Sequence, residues 1–94
     1  ILVAGATEGH SDYSYHYISL AADFTFEEGK LSVLEQFTLL SSFPQFGAIG
    51  FYPYDGPFWH VDLRHAKPRV LWFRDENGKY HYGFKNFAEG LKKV

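Results

Sequence analysis

Five histidines, eleven carboxylates and no cysteine define the donors from which this 94-residue chain can build a metal or acid–base site. Two segments hold them in company that invites chemistry. One reads Ser14-Tyr15-His16-Tyr17-Ile18-Ser19-Leu20-Ala21-Ala22-Asp23, and the other Phe58-Trp59-His60-Val61-Asp62-Leu63-Arg64. Imidazole nitrogen and carboxylate oxygen suit a catalytic zinc ion, which takes three protein ligands and leaves one position open. Without a thiol, any zinc site must be made from His and carboxylate. Spacing alone does not assemble one. His16 and Asp23 are too far apart for one helical turn, so they meet if the chain folds back between them, and His60 must arrive on a separate strand. From the residues alone, surface histidines and a solvated carboxylate are the stronger reading of the same side chains.

Composition narrows the alternatives. The chain is 46% apolar and 20% aromatic, with 10 Phe and 7 Tyr, enough for one compact interior and too short for a second. A net charge of −2, from 9 basic and 11 acidic residues, gives no basic footprint for nucleic acid or anionic lipid. The aromatics do not alternate with basic residues as on a single-strand-binding platform. No apolar run approaches the ~20 residues that span a bilayer, so membrane insertion is not expected. The chain opens on Ile1-Leu2-Val3-Ala4, without an initiator Met or a signal peptide pattern, and reads as one domain over 1–94 that lacks the N-terminal residues of its full protein.

The elements that must position these side chains follow from pattern. Ile1 to Ala4 suits a buried strand and Gly5 to Tyr13 a loop. Leu20 to Phe26 alternates, with Leu20, Ala22, Phe24 and Phe26 on one face and Asp23 on the other. Ser32-Val33-Leu34-Glu35 has capping-box spacing, predicting a helix from about Ser32 to Ser42 with Leu34, Phe37 and Leu40 or Ser41 inward. Gly47 to Tyr52 and Phe58 to Arg64 read as strands, the latter placing Phe58, His60, Asp62 and Arg64 together and Trp59, Val61 and Leu63 opposite. Arg69 to Arg74 and Lys79 to Tyr82 flank Asp75-Glu76-Asn77-Gly78, a hairpin signal. Asn86 to Glu89 suggests the cap of a short terminal helix. The sum is an α+β domain on a small, mostly antiparallel sheet, with one main helix and a short C-terminal one.

Ser14 to Asp23 resembles the S-x-H-x-x-G-x-A-x-D motif of the zinc D-Ala-D-Ala carboxypeptidases and endopeptidases. That family is grouped with the lysostaphin-type peptidases and the hedgehog signalling domain. Gly47-Ala48-Ile49-Gly50-Phe51-Tyr52-Pro53, followed by Phe58 to Arg64, is similar to their G-G-[IV]-G-x-Y-P … F-[VI]-H-x-D-x-R segment. The two matches, in order, fall within residues 10 to 64. The resemblance implies zinc held by His16, Asp23 and His60, substrate contacts from Ser14 and Arg64, and peptidoglycan stem peptide as substrate, cut next to a D-amino acid. It also implies a periplasmic, extracellular or phage-delivered setting.

Two departures stand out. The family's Gly is Ser19 here. Family members often carry a catalytic base just ahead of the third ligand, where this chain has Pro57 and Phe58, neither able to take a proton. Asp62, two residues on from His60 and on the same strand face, is the first candidate for that base, and Asp55 the second. Either can instead be a carboxylate that orients His60. The alternative to a peptidase is a cell-wall binding module that keeps the zinc and has lost turnover. A third reading, an aromatic-rich interaction domain without metal, makes both motif matches accidental. Tyr15, Tyr17, Tyr52, Tyr54 and Trp59 could wall a peptide groove or fill the core, and His10, His65 and His81 are read as surface residues.

Overall fold

The computed structural model describes residues 20–94. The elements run β1 (Ala21–Phe24), α1 (Val33–Ser41), β2 (Ala48–Tyr52), β3 (Phe58–Asp62), β4 (Val70–Arg74), β5 (Tyr80–Tyr82) and α2 (Phe84–Lys92). The strands form one sheet in the order β1-β3-β2-β4-β5. Its pairs are antiparallel except β2 with β4, which is parallel. This is the α+β arrangement expected, with the sheet mostly antiparallel. The strand expected over Ile1 to Ala4, and with it His10, Ser14, Tyr15, His16, Tyr17 and Ser19, lies outside the described residues. No helix among the described residues is long and apolar enough to cross a membrane.

Period-two alternation assigns each strand one apolar and one chemical face. Ala22, Ile49, Phe51, Trp59, Val61, Leu71 and Phe73 point to one side, where Leu40 of α1, Phe46 of the α1–β2 connection and Phe87 of α2 complete the buried cluster. Phe37 stacks on Trp59 and lies 4.8 Å from the Phe87 ring, tying both helices to this face. Trp59 Nε1 donates to Gln36 Oε1 at 2.7 Å, so the buried indole keeps a partner. On α2, Gly90 lies against Phe73, whose ring atoms sit 2.5 Å from where a Cβ would be.

Helix α1 begins as its sequence demands. Ser32 Oγ accepts from Glu35 N at 3.1 Å, and Glu35 Oε1 accepts from Ser32 N at 2.9 Å, a reciprocal box that satisfies two otherwise orphaned donors. Ser32→Ala is expected to destabilise the domain by about 1 kcal/mol in urea unfolding, because its buried core is untouched and one cap is lost. The inward residues differ in part from expectation. Val33, Phe37 and Leu40 face the core, while Leu34 is 64% exposed. At about 100° per residue, residues 33, 37 and 40 fall within a stripe of about 60° that faces the core, and Leu34 lies about 100° from Val33. Helix α2 begins earlier than expected, with Gly83 at its N-cap. Asn86 instead donates from Nδ2 to Tyr82 O within the first turn.

The strand order forces one crossing. β3 ends beside the start of β2, since Asp62 pairs with Ala48, and β4 begins beside the same residue from the other side. The connection from Leu63 to Arg69 therefore passes over the leading end of β2, at Gly47. A Cβ on Gly47 would lie 1.7 Å from Arg64 O. The glycine lets two backbones touch here: Gly47 N donates to Asp62 O and Gly47 O accepts from Val70 N, both at 2.9 Å.

Candidate functional site

The face of the sheet opposite the helices carries Asp23 from β1, Phe58, His60 and Asp62 from β3, Gly50 and Tyr52 from β2, and Trp72 from β4. Register alone makes two of these neighbours: Asp23 is the Cα partner of His60 in the β1–β3 ladder. Residues 37 positions apart thus become a directly opposed pair, and His60 Nδ1 lies 2.8 Å from Asp23 Oδ1. On its other side, His60 Nε2 lies 2.8 Å from Asp62 Oδ2. The two carboxylates differ sharply in setting, since the Asp23 side chain is 62% exposed and that of Asp62 only 7%.

Asp62 is fully engaged. Its Oδ1 accepts from Arg64 N and Nε, and its Oδ2 accepts from Arg64 Nη2 at 2.8 Å as well as facing His60. Burial pushes this carboxyl upward, but the hydrogen bonds from His60 and Arg64 outweigh it and hold the group well below the usual carboxylate range. A carboxylate so held takes protons poorly and is well placed to fix an imidazole. Of the two roles open to Asp62, its surroundings favour orienting His60 over acting as a base. Asp55, in the β2–β3 turn, pairs with Arg74 at the end of β4. Phe58, at a position where a base was sought, stacks on Tyr52 with ring centroids 4.3 Å apart.

Trp72 is the residue of this face that the motifs did not single out. Its indole lies flat on Gly50, where a Cβ would come within 2.3 Å of the ring. From there it reaches the His60 ring at 5.3 Å, donates from Nε1 to Tyr52 Oη at 3.0 Å and lies under the Arg64 guanidinium at 5.7 Å. Burial, offset by the Trp72 bond and reinforced by Tyr80, pushes the Tyr52 phenol up to about 12, so it stays protonated. Tyr52 borders the site, Tyr54 is exposed and Trp59 belongs to the core. His81, half-buried on the helix side, is held at 2.8 Å by Asp75, while His65 is exposed.

These donors can be tested against zinc. Bonds of ~2.0–2.2 Å from nitrogen and oxygen separate two donors on a tetrahedral ion by ~3.3 Å. His60 Nδ1 and Asp23 Oδ1 need part by about half an ångström to meet this, and the exposed Asp23 is free to swing. Nε2, bonded to buried Asp62, completes a carboxylate–imidazole relay that would aim Nδ1 at a metal. Among the described residues, no group of three or more His, Cys, Asp or Glu could hold a metal ion. The described part therefore offers two donors that fit, and the third implied by resemblance, His16, lies outside it with Ser14. Comparison with known protein families, curated proteins and solved structures finds no match to this chain.

The same geometry sets a pH dependence. Burial disfavours charge on His60, but its two carboxylate partners overcome this and raise its pKa above the ordinary 6.5. Stability from His60 is then complete below about 6.5 and fades as pH climbs through the raised value. Stability from Asp62 is complete above its ordinary 3.8 and fades as pH falls through the depressed value. Metal-free protein is expected to show its highest urea midpoint between about pH 4 and pH 6.5. A midpoint that keeps rising to pH 8 would contradict the His60 pairing.

Proposed function

We propose that this domain is a zinc metallopeptidase acting on the stem peptides of bacterial peptidoglycan, with Asp23 and His60 as two of its metal ligands and His16 as the third. The observation that carries this reading is the division of His60 between an exposed carboxylate and a buried one. A structural His–Asp pair has no need of a second, deeply buried carboxylate fixing the far ring nitrogen, whereas a metal-binding imidazole does. Bound zinc would supply the Lewis acidity that polarises a peptide carbonyl and activates water. The chain's own residues hold and aim: Asp62 fixes the ring of His60, Arg64 fixes Asp62, and Trp72 closes one flank. Tyr52 keeps a neutral phenol beside them.

Its setting on this reading is wall-facing, in the periplasm, outside the cell or delivered by phage, since stem peptides are found there. The second reading, a zinc-containing wall-binding module, draws support from one observation. Phe58 and Pro57 offer no base, and Asp62 is occupied by His60 and Arg64. Digestion of purified sacculi by zinc-loaded protein, followed by separation of released fragments, decides between the two. Stem-peptide fragments are expected, and binding to sacculi without release would favour the module.

Asp62→Asn probes the role of that carboxylate. The amide keeps the shape but loses the charge that orients His60, so zinc affinity is expected to fall about 10–100-fold. Peptide release should return once zinc is in excess. A loss of about 10²–10⁴ in turnover that persists at saturating zinc would instead assign Asp62 as the general base.

A further inference from the structure

β1 forms one margin of the sheet, and among the described residues it pairs with β3 alone. The ladder between them fixes which way each main-chain group points. Leu63 N donates to Leu20 O at 3.1 Å, and in an antiparallel pair the bonded positions recur at every second residue. With Ala22 opposite Val61 and Phe24 opposite Trp59, these two residues spend their amides and carbonyls on β3. Ala21 and Asp23 alternate with them, so their N–H and C=O groups point outward from the sheet. Asp23 thus faces two ways: its carboxylate reaches His60 at 2.8 Å, and its backbone meets the margin.

The two margins are unequally guarded. β5, at the far side, is three residues long and follows Lys79, and both features discourage strand addition. From Leu20 to Phe26 there is no Lys, Arg or Pro, and the one charge, Asp23, is engaged by His60. On the helix side of this margin, Leu20, Ala22, Phe46, Val61 and Leu63 line an open apolar hollow of about 190 Å³. Ala22 puts only a methyl group there, and Leu20 and Leu63 are both exposed.

We infer that the outer margin of β1 receives the main chain of an extended peptide, which adds to the sheet as a further strand beside the Asp23–His60 pair. One extended residue opposite Asp23 can donate to Asp23 O and accept from Asp23 N, and another, two positions along, can do the same with Ala21. The residue between them sits opposite Ala22, where the hollow takes an aliphatic side chain turned to that face. That the peptide belongs to the cell wall rests on the peptidase reading, but the strand addition itself does not require turnover.

The test reads amide hydrogen exchange by NMR in the full chain, with acetyl-Lys-D-Ala-D-Ala as the probe and a chelator-treated sample alongside to keep the probe uncut. The Ala21 and Asp23 amides are expected to exchange freely without the probe and about fivefold or more slowly at saturation. Tyr80 and Tyr82, whose amides point outward from the opposite margin, should keep their rates. Ala21→Pro removes an outward donor without touching a bond to β3, so it should keep the urea midpoint and lose the protection at Asp23. Methylating the two D-Ala nitrogens of the probe in turn tests the same bonds on the wild-type chain, and at least one should weaken binding about three- to tenfold. Protection of Ala21 and Asp23 before the probe is added would overturn the inference, by showing the margin already covered by the chain's own residues or by a second copy. Equal slowing at both margins, or at neither, would overturn it too. Protection at β1 without sacculus digestion would retain the strand addition and reject the peptidase, and digestion without protection would do the reverse.

Discussion

Zinc affinity is expected to fall by about 10²–10³-fold in His60→Ala and in Asp23→Ala, measured by competition with a chromophoric chelator. A zinc site in a small domain is worth on the order of 10–16 kcal/mol, so each of three or four donors carries roughly 3–4 kcal/mol. Loss of His60 has a second cost, because Asp62 would remain buried against Arg64 without its imidazole partner. His65→Ala and His81→Ala should leave affinity within about twofold, since neither side chain belongs to this face and His81 is already taken up by Asp75. If His81→Ala alone stripped the metal, the ligand set would be wrong. Metal analysis of protein never exposed to chelator should accompany the series, and a metal-free, fully folded wild type would remove its premise.

Gly47→Ala is expected to produce the largest loss of stability, about 3–5 kcal/mol in urea unfolding. The added carbon would fall 1.7 Å from a backbone oxygen, Arg64 O, and 2.7 Å from its carbonyl carbon. No flexible side-chain end lies there to yield, and Gly47 is stitched on both sides to Asp62 and Val70. Relief requires pushing the crossing connection away, which would drag Arg64 from Asp62 and loosen His60 with it. The substitution should therefore weaken zinc binding as well as the fold. A loss below 1 kcal/mol would show that the connection has slack.

Much of this arrangement was legible because it depends on local pattern. Alternation over Phe58 to Asp62 put His60 and Asp62 on one face and Trp59 and Val61 in the core, as the strand does. The Ser32–Glu35 spacing located the start of α1, and the Asp75–Gly78 turn located the β4–β5 hairpin. What escaped depends on which strands become neighbours. Nothing within Arg69 to Arg74 says that this strand lies parallel to β2, so nothing placed Trp72 over Gly50. The glycine in the Gly47-Ala48-Ile49-Gly50 run was a signal of close approach, but its partner lies 22 residues away along the sequence. The pairing of Asp55 with Arg74 and the exposure of Leu34 escaped for related reasons, one being tertiary and the other hinging on a one-residue shift in helix phase. The occupation of Asp62 by Arg64 is nearer to hand, but two charges on one strand face do not announce which will claim the other.

The chain's two tryptophans fall on opposite faces of its sheet. Trp59, 1% exposed, is locked between Gln36 and the aromatic core. Trp72, 7% exposed, has its ring centroid 5.3 Å from that of His60, whose charge depends on both site carboxylates. An imidazolium beside an indole drains its excited state more effectively than a neutral ring does. The molecule thus carries its own pair of optical gauges: emission from Trp59 reports whether the interior is intact, and emission from Trp72 reports what has happened to His60. Separating the two signals lets the events at the site be followed without a label, in the same cuvette and on the same molecules as the folding of the sheet that builds it.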